Sequence, residues 1–184
     1  MEAIFWIIIA LVVLVAIVFV YYYNRFVVLG NRIDNSLSQI DVQLRKRADL
    51  VPNLINSVKG YAKHEKGIMT EVTKARNLLM NAKGFEKRVK AGAELERSLG
   101  KLFAIAENYP QLRANENFLQ LQNELSAIED RIAYSRQFYN DSILTYNNAC
   151  QSFPGNMFAN LYGKKAKQFL QIPQESRAVP KVSF

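Results

Sequence analysis

AIFWIIIALVVLVAIVFVYYY, residues 3–23, is a run of 21 residues without a charged side chain. As a helix that rises about 1.5 Å per residue it is roughly 30 Å long, which matches the hydrocarbon core of a bilayer. The run therefore predicts a transmembrane helix, whose ends are marked by Ala3 and Trp6 on one side and by Val20 and Tyr23 on the other. Aromatic residues near both ends suit the headgroup zone, where a ring meets apolar and polar surroundings together.

A cleaved signal peptide is the competing interpretation of this run. Such peptides have a basic n-region, a shorter apolar core and a small-residue cleavage site. Only Met1 and Glu2 precede the run, and the residues at 21–25, YYYNR, offer no A-x-A-like site. The sequence therefore favours a retained anchor.

Basic residues near the run predict its orientation. None precedes it, whereas Arg25 and Arg32 follow it closely. By the positive-inside rule we expect a single-pass protein of the cell membrane, with the short N-terminus outside and the remaining chain in the cytoplasm. The cluster Arg45-Lys46-Arg47 can reach lipid phosphates only if its helix lies along the membrane, since upright it stands roughly 30 Å away.

The rest of the chain shows helical periodicity almost throughout. Apolar residues between Ile33 and Ala62 recur at steps of three or four, which predicts an amphipathic helix of about 30 residues. Pro52 predicts a kink in that helix because its ring clashes with the preceding turn. Only Gly30 argues against a direct continuation of the membrane helix into this one.

Further helices are predicted over residues 62–82, 85–108 and 118–150. The last has a heptad seam, which consists of Phe118, Leu121, Leu125, Ile128, Ile132, Ser135 and Tyr139. Residues 157–170 predict a short amphipathic piece. The predicted fold class is therefore all-α: a transmembrane anchor over residues 1–24, an antiparallel helical bundle with long helices over 25–172, and an extended or disordered tail over 173–184.

The charge and the cysteine content indicate which partners and which compartment suit this chain. The chain has 24 Lys and Arg against 16 Asp and Glu, and the whole excess follows the apolar run. This charge fits an anionic leaflet or an acidic partner, and an ordinary basic surface explains it equally well. Cys150 is the single cysteine, so an intrachain disulfide is impossible, which fits a reducing compartment.

Residues 32–65, RIDNSLSQIDVQLRKRADLVPNLINSVKGYAKHE, form the densest motif. With Ala75-Arg76, Asn108-Tyr109-Pro110 and Pro180-Lys181-Val182 in the same order behind an N-terminal anchor, it closely resembles the LemA family. The resemblance implies a bacterial or archaeal membrane protein with a helical-bundle domain and no assigned reaction. The polar residues of the motif are the candidate structural or partner contacts: Asp34, Gln39, Asp41, Gln43, Arg47, Asp49, Asn53, Lys59, His64 and Glu65.

One departure from the family pattern lies near the end of the chain. After Leu161-Tyr162-Gly163 the family usually continues with another aromatic residue, whereas Lys164-Lys165 stand here. An identical docking of the last segment therefore does not follow from the resemblance.

The sequence predicts no catalytic residue, no metal site and no cofactor. A single histidine and a single cysteine exclude HExxH and CxxC sites by count, and the glycines form no phosphate loop. The carboxylates Asp34, Asp41 and Asp49 share a helix face at steps of seven and eight. They suit either oxygen ligation of a hard cation or polar pairing with Arg47, Arg76 and other helices, and the basic and amide residues around them favour pairing.

Two functions are compatible with these features. The first is a membrane-anchored scaffold or interaction protein that self-associates and has no catalytic activity; its partners are the lipid bilayer, further copies and other membrane proteins. The alternative is a membrane-shaping or lipid-binding oligomer, for which the basic charge and residues 157–170 argue. We do not expect nucleic acid as a partner, because the aromatic residues occur at core spacing.

Overall fold

Helices make up the architecture, and no strand occurs in residues 1–62 and 64–170, the part of the chain that the computed structural model describes. In this described part, six helices follow one another: α1 (Glu2–Lys59), α2 (Lys66–Asn81), α3 (Phe85–Ala106), α4 (Pro110–Arg113), α5 (Glu116–Gln151) and α6 (Gly155–Leu161). The predicted all-α class, with a long apolar N-terminal helix followed by a helical bundle, is confirmed. The tail predicted over 173–184 lies outside the described residues.

Helix α1 joins the apolar run to the first predicted amphipathic helix without a break, as expected. Pro52 lies inside α1 and has no N–H to donate to the carbonyl of Ala48, four residues earlier. The Nε of Arg76, on α2, donates a 2.8 Å hydrogen bond to that carbonyl. A side chain from the next helix thus satisfies the acceptor that the proline leaves without its helical partner.

Helix α2 begins later than the sequence predicts, at Lys66 rather than near Ala62. The backbone N–H groups of Tyr61 and Ala62 both bond to the carbonyl of Val58, which forms a turn after the end of α1. The predicted boundary was wrong because the apolar spacing continues through Ala62. This residue is buried, but it lies in the turn and not in a helix.

Helix α5 matches its prediction closely. The backbone N–H of Phe118 donates to Oδ1 of Asn115 at 3.0 Å, an N-terminal cap that the periodicity does not reveal. The heptad seam is confirmed by its burial, since Phe118, Leu125, Ile128 and Ile132 are all buried. The short helix α4 was not predicted; Pro110 occupies its first turn, a position that proline favours.

The amphipathic piece predicted over residues 157–170 is wrong in its extent. Helix α6 ends at Leu161, and Gly163 follows with φ +64°, a left-handed conformation that commonly terminates helices. Residues 164–170 are not helical.

The chain forms two compact units. The terminal unit comprises Met1–Ser36 with Arg136–Phe184, and the central unit comprises Leu37–Ser135. The described core of the terminal unit consists of Phe26, Leu29, Ile33, Ile143, Tyr146, Ala149, Cys150 and Ala159. In the central unit, α2 packs against α3. Buried residues of α1 and α5 in this unit include Ile40, Leu54 and Ile132. The domain boundaries at 24 and 172 stay predictions.

Candidate functional site

The apolar half of α1 leaves its side chains uncovered. Ala3, Trp6, Val20 and Tyr23, the positions that mark the predicted span, are all exposed. Within the described residues α1 is the one helix that is long and apolar enough to cross a membrane. All residues of the run except Val18 and Tyr22 are exposed, and an uncovered apolar surface of this size is compatible with a helix in lipid.

One ring of α6 and the ring of the residue after it pack against the last turns of this apolar run. The ring of Phe158 stacks on Tyr22 at 4.5 Å between centroids and meets Phe19 edge-on at 5.1 Å. The hydroxyl of Tyr162 donates a 2.9 Å hydrogen bond to the carbonyl of Phe19, and its ring lies 5.7 Å from that of Tyr23. Helix α6 is therefore anchored beside residues 19–23.

The other side of α6 and the turn before it carry three exposed apolar side chains, which we call the α6 ridge. They are Phe153, Met157 and Leu161, exposed by 81%, 62% and 61%. Lys164 and Lys165 follow directly in the chain. Apolar residues bordered by lysines are typical of surfaces that contact a bilayer.

Residues 164–170 are held along α5 by two asparagines seven residues apart. Asn147 donates from Nδ2 to the carbonyl of Lys167 at 2.9 Å and accepts from the Lys167 N–H at 2.8 Å. Asn140 makes the same pair of bonds with Leu170, at 3.3 and 2.9 Å. Each amide thereby satisfies both backbone groups of one residue, as a neighbouring strand would. Neither asparagine was predicted as a site residue, because no local pattern reveals these contacts.

The charged centre of the central unit is Arg47, which is 1% exposed. Its guanidinium pairs with the carboxylate of Glu129, lies 3.7 Å from that of Glu96, and donates to the carbonyl of Gly92 at 3.3 Å. The buried charge is thus compensated from α3 and α5. The motif contains Arg47 but neither glutamate, since the partners come from distant parts of the chain.

The three aspartates named from the sequence do not form one site. Asp41 pairs with Arg88, on another helix, at 2.8 Å and with Arg45 at 3.6 Å. The sequence suggested pairing with other helices, but neither Arg47 nor Arg76 is among these partners. Asp49 is exposed, and Asp34 belongs to the terminal unit. Within residues 1–62 and 64–170, no three His, Cys, Asp or Glu side chains are grouped so that they could hold a metal ion.

Gln39 and Gln43 lie at a polar pocket of the central unit. The pocket has a volume of about 410 Å³ and is completed by Asp130, Arg131, Tyr134 and Ser135 of α5. The Oε1 atom of Gln43 is buried without a hydrogen-bond partner among the described residues.

The remaining motif residues cluster around the end of α1. Glu65 accepts a 3.1 Å hydrogen bond from the hydroxyl of Tyr109, and this bond raises the pKa of the tyrosine. Asn53 is exposed, as are Lys59 and His64. Glu65 thus fixes the connection between α1 and α2, while Lys59 and His64 remain on the surface.

Lys59 and His64 border an open groove between the end of α1 and α2, which we call the basic groove. Its volume is about 960 Å³, and its lining consists of Ile55, Lys59, His64, Lys66, Met69, Thr70, Thr73 and Lys74. The lining contains three lysines and no carboxylate. The groove was not predicted from the sequence. The signal that could have indicated it is the spacing of its lysines, seven residues from Lys59 to Lys66 and eight from Lys66 to Lys74.

Comparisons with known proteins match most of the chain. A model of the LemA family matches residues 36–184. Magnetosome protein MamQ 2 of Paramagnetospirillum magneticum is 25% identical over 175 residues, which cover 81% of this chain and 64% of that protein. Magnetosome protein MamQ of Magnetospirillum gryphiswaldense is 26% identical over 178 residues, 82% of this chain and 65% of that protein.

A third similar protein is the protein LemA of Metamycoplasma hominis, 27% identical over 130 residues, which cover 70% of this chain and 59% of that protein. The chain thus spans less than two thirds of the length of these curated relatives.

Proposed function

Because this chain belongs to the LemA family, we propose that it is a single-pass, membrane-anchored interaction protein that holds partner proteins beside the bilayer and catalyses no reaction. The family match and the relatives named MamQ and LemA support a membrane-associated helical protein. The scaffold role, the partners and the absence of catalysis are our proposal.

The observation that carries this proposal is the internal use of the motif's charges. Arg47 forms an ion pair with Glu129, and Asp41 forms one with Arg88; both pairs join different helices. Arg47 is buried and Asp41 is half-buried, so these residues are better suited to hold helices in register than to handle a substrate. The central unit then serves as a rigid frame for its outer surface.

The basic groove is the part of that surface best suited to dock a partner. Ile55 and Met69 supply apolar contact, while Lys59, Lys66 and Lys74 supply three positive charges. We propose as its occupant an acidic amphipathic segment of another protein, whose apolar side chains contact the floor and whose carboxylates meet the lysines. The net charge of +8 disfavours a second copy of this chain in the groove, so self-association uses another surface.

Crosslinking in intact membranes tests the docking site. A photo-reactive residue in place of Thr70, inside the groove, should yield adducts with a partner protein, whereas one in place of the exposed Gln122 on α5 should not. Lys66→Glu with Lys74→Glu should abolish the adducts, and the matched pair Lys87→Glu with Lys90→Glu, on exposed positions of α3, should leave them.

The same membranes report self-association through adducts between tagged and untagged copies. Recovery of monomer alone, with no co-purifying protein, would count against the scaffold role. Adducts that form between copies at Thr70 would show that the groove takes a second copy instead of an acidic partner.

Membrane topology is part of the proposal. We place the N-terminus outside and the helical bundle in the cytoplasm, because Arg25 and Arg32 closely follow the apolar run. In a Cys150→Ser background, an impermeant maleimide applied to intact cells should label Glu2→Cys and spare Gln137→Cys. Labelling of Gln137→Cys alone would reverse the orientation.

A further inference from the structure

We propose that the α6 ridge is inserted in the bilayer beside the transmembrane helix, on the side where the helical bundle lies, so that Phe153, Met157 and Leu161 contact acyl chains. The ligand is the lipid bilayer itself. This inference rests on the membrane anchoring proposed above, and it does not depend on the basic groove or on any protein partner.

The first argument is depth. Phe19 and Tyr22 lie inside the apolar run, which ends at Tyr23, so Phe19 is about 6 Å within the end of the span. Phe158 packs on both rings, and Tyr162 bonds to the carbonyl of Phe19. Helix α6 therefore lies level with the last turn of the span, at the boundary between acyl chains and headgroups.

The second argument is the division of α6 into two faces. Phe158 and Ala159 are turned toward the terminal unit, and Ala159 is 1% exposed. Met157 and Leu161 are four residues apart on α6, so they share the opposite face. Phe153 lies in the turn before α6, and no described residue covers any of these three large apolar side chains. At the depth where α6 lies, lipid surrounds the span, and this lipid covers the three side chains.

The third argument is the position of the positive charge. Lys164 and Lys165 follow Gly163 immediately, and the bonds of Asn147 to Lys167 hold this segment along α5. Lysines beside an apolar ridge favour the phosphate level of an anionic leaflet.

Docking against the protein also explains how so short a helix can act at a membrane. A helix of seven residues does not form by itself in water, because the first turn is costly to nucleate. Here the stacked ring of Phe158 and the Tyr162 hydrogen bond hold α6 in place. The ridge is therefore presented to lipid already folded, which lowers the entropic cost of insertion. A wedge in one leaflet beside each span gives a physical basis to the membrane-shaping alternative raised by the sequence.

Spin-label accessibility of the full-length protein tests the insertion. In a Cys150→Ser background, nitroxides are attached at Met157→Cys on the ridge, at Val12→Cys in the span and at Gln137→Cys, an exposed control on α5 of the same unit. The protein is reconstituted in vesicles of phosphatidylethanolamine and phosphatidylglycerol. Collision rates are measured with oxygen, which concentrates in lipid, and with a water-soluble nickel chelate.

If the ridge is inserted, the nickel collision rate at residue 157 falls several-fold below that at residue 137, and the oxygen rate rises toward that at residue 12. A nickel rate at 157 equal to that at 137, with a lipid signature at 12, overturns the insertion and leaves the anchor intact. An aqueous signature at residue 12 overturns both. Low rates with both reagents at 157 mean that protein covers the ridge, which also overturns the proposal.

Discussion

The guanidinium of Arg76, on α2, bonds at 2.8 Å to the carbonyl oxygen of Ala48, the acceptor that Pro52 leaves without its helical partner. Arg76→Ala should therefore strand a buried carbonyl, since Ala48 is fully buried. We expect a loss of about 1–3 kcal/mol in the free energy of unfolding, measured by urea denaturation of the full chain in detergent micelles.

The proline supplies the control for this prediction. In a Pro52→Ala background the Ala48 carbonyl regains a donor within α1, so Arg76→Ala should cost about 1 kcal/mol less than it does beside Pro52. Equal costs in the two backgrounds would show that Arg76 acts through its packing and not through this carbonyl.

Arg47→Met should destabilise the central unit by about 1–3 kcal/mol, because it removes the cation shared by Glu129, Glu96 and the carbonyl of Gly92, while the two carboxylates are more than a third exposed and stay solvated. The matched change Arg45→Met removes an exposed partner of Asp41 and should cost less than about 1 kcal/mol. Chemical denaturation compares the two. Similar costs would contradict a structural role for the buried pair.

Gly155→Ala should loosen α6. A Cβ at this position would overlap the carbonyl oxygen of Ala149, a backbone atom that cannot turn away. We expect a loss of about 1–3 kcal/mol and faster amide exchange in residues 155–161. Gly100→Ala, where a Cβ meets nothing within 4 Å, should instead stabilise α3 by about 0.5–1 kcal/mol.

Alkaline pH should destabilise the terminal unit. Burial raises the pKa of the Cys150 thiol above its ordinary 9.0, and burial also raises the pKa of Tyr139 and Tyr146 above 10.0. At a pH between the pKa values of the unfolded and the folded chain, the unfolded chain binds fewer protons than the folded one. The stability contributed by these groups is therefore complete below about pH 9 and falls as the pH rises.

The alkaline effect can be assigned to one side chain. Tyr139→Phe should reduce the loss between about pH 9 and pH 11, whereas Tyr134→Phe, at an exposed position, should not change it. Thermal melts across this range, followed by circular dichroism, measure the effect. Stability that is constant up to pH 11 would contradict it.

Asn140→Ala and Asn147→Ala should each release part of the segment 164–170 from α5, since each removes a donor and an acceptor at once. Each lost bond contributes about 1 kcal/mol. Trypsin should then cleave after Lys164, Lys165 and Lys167 faster than in the unmodified protein. The neighbouring change Asn148→Ala, at an exposed position, should leave cleavage unchanged.

Local patterns predicted most of the secondary structure. The seam from Phe118 to Tyr139 fixed the buried side of α5, and the break at residues 83–84 correctly preceded the start of α3 at Phe85. The end of α1 and the length of α6 were missed, because a buried alanine in a turn and exposed apolar residues both imitate helical periodicity. The turn of Tyr61 and Ala62 onto the carbonyl of Val58 ends α1, and Gly163 ends α6.

The candidate surfaces were less predictable. The sequence singled out Arg47 and Asp41, but their partners Glu129 and Arg88 lie 82 and 47 positions further along the chain and share no motif with them. The basic groove likewise joins two helices across a turn. Pairings of this kind follow from packing, which a periodic pattern does not specify.

The sequence by itself determined that the chain is helical, that residues 3–23 are apolar enough to cross a bilayer, and which face of each long helix is buried. These properties depend on neighbours three or four positions apart, so they can be read locally. Only the tertiary structure decided that Arg76 completes the helix interrupted by Pro52, and that α6 rests on the end of the apolar run. Both contacts join residues that are distant in the chain. Which side chain covers a ring or bonds to a backbone carbonyl depends on the packing of the helices, and local sequence does not specify that packing.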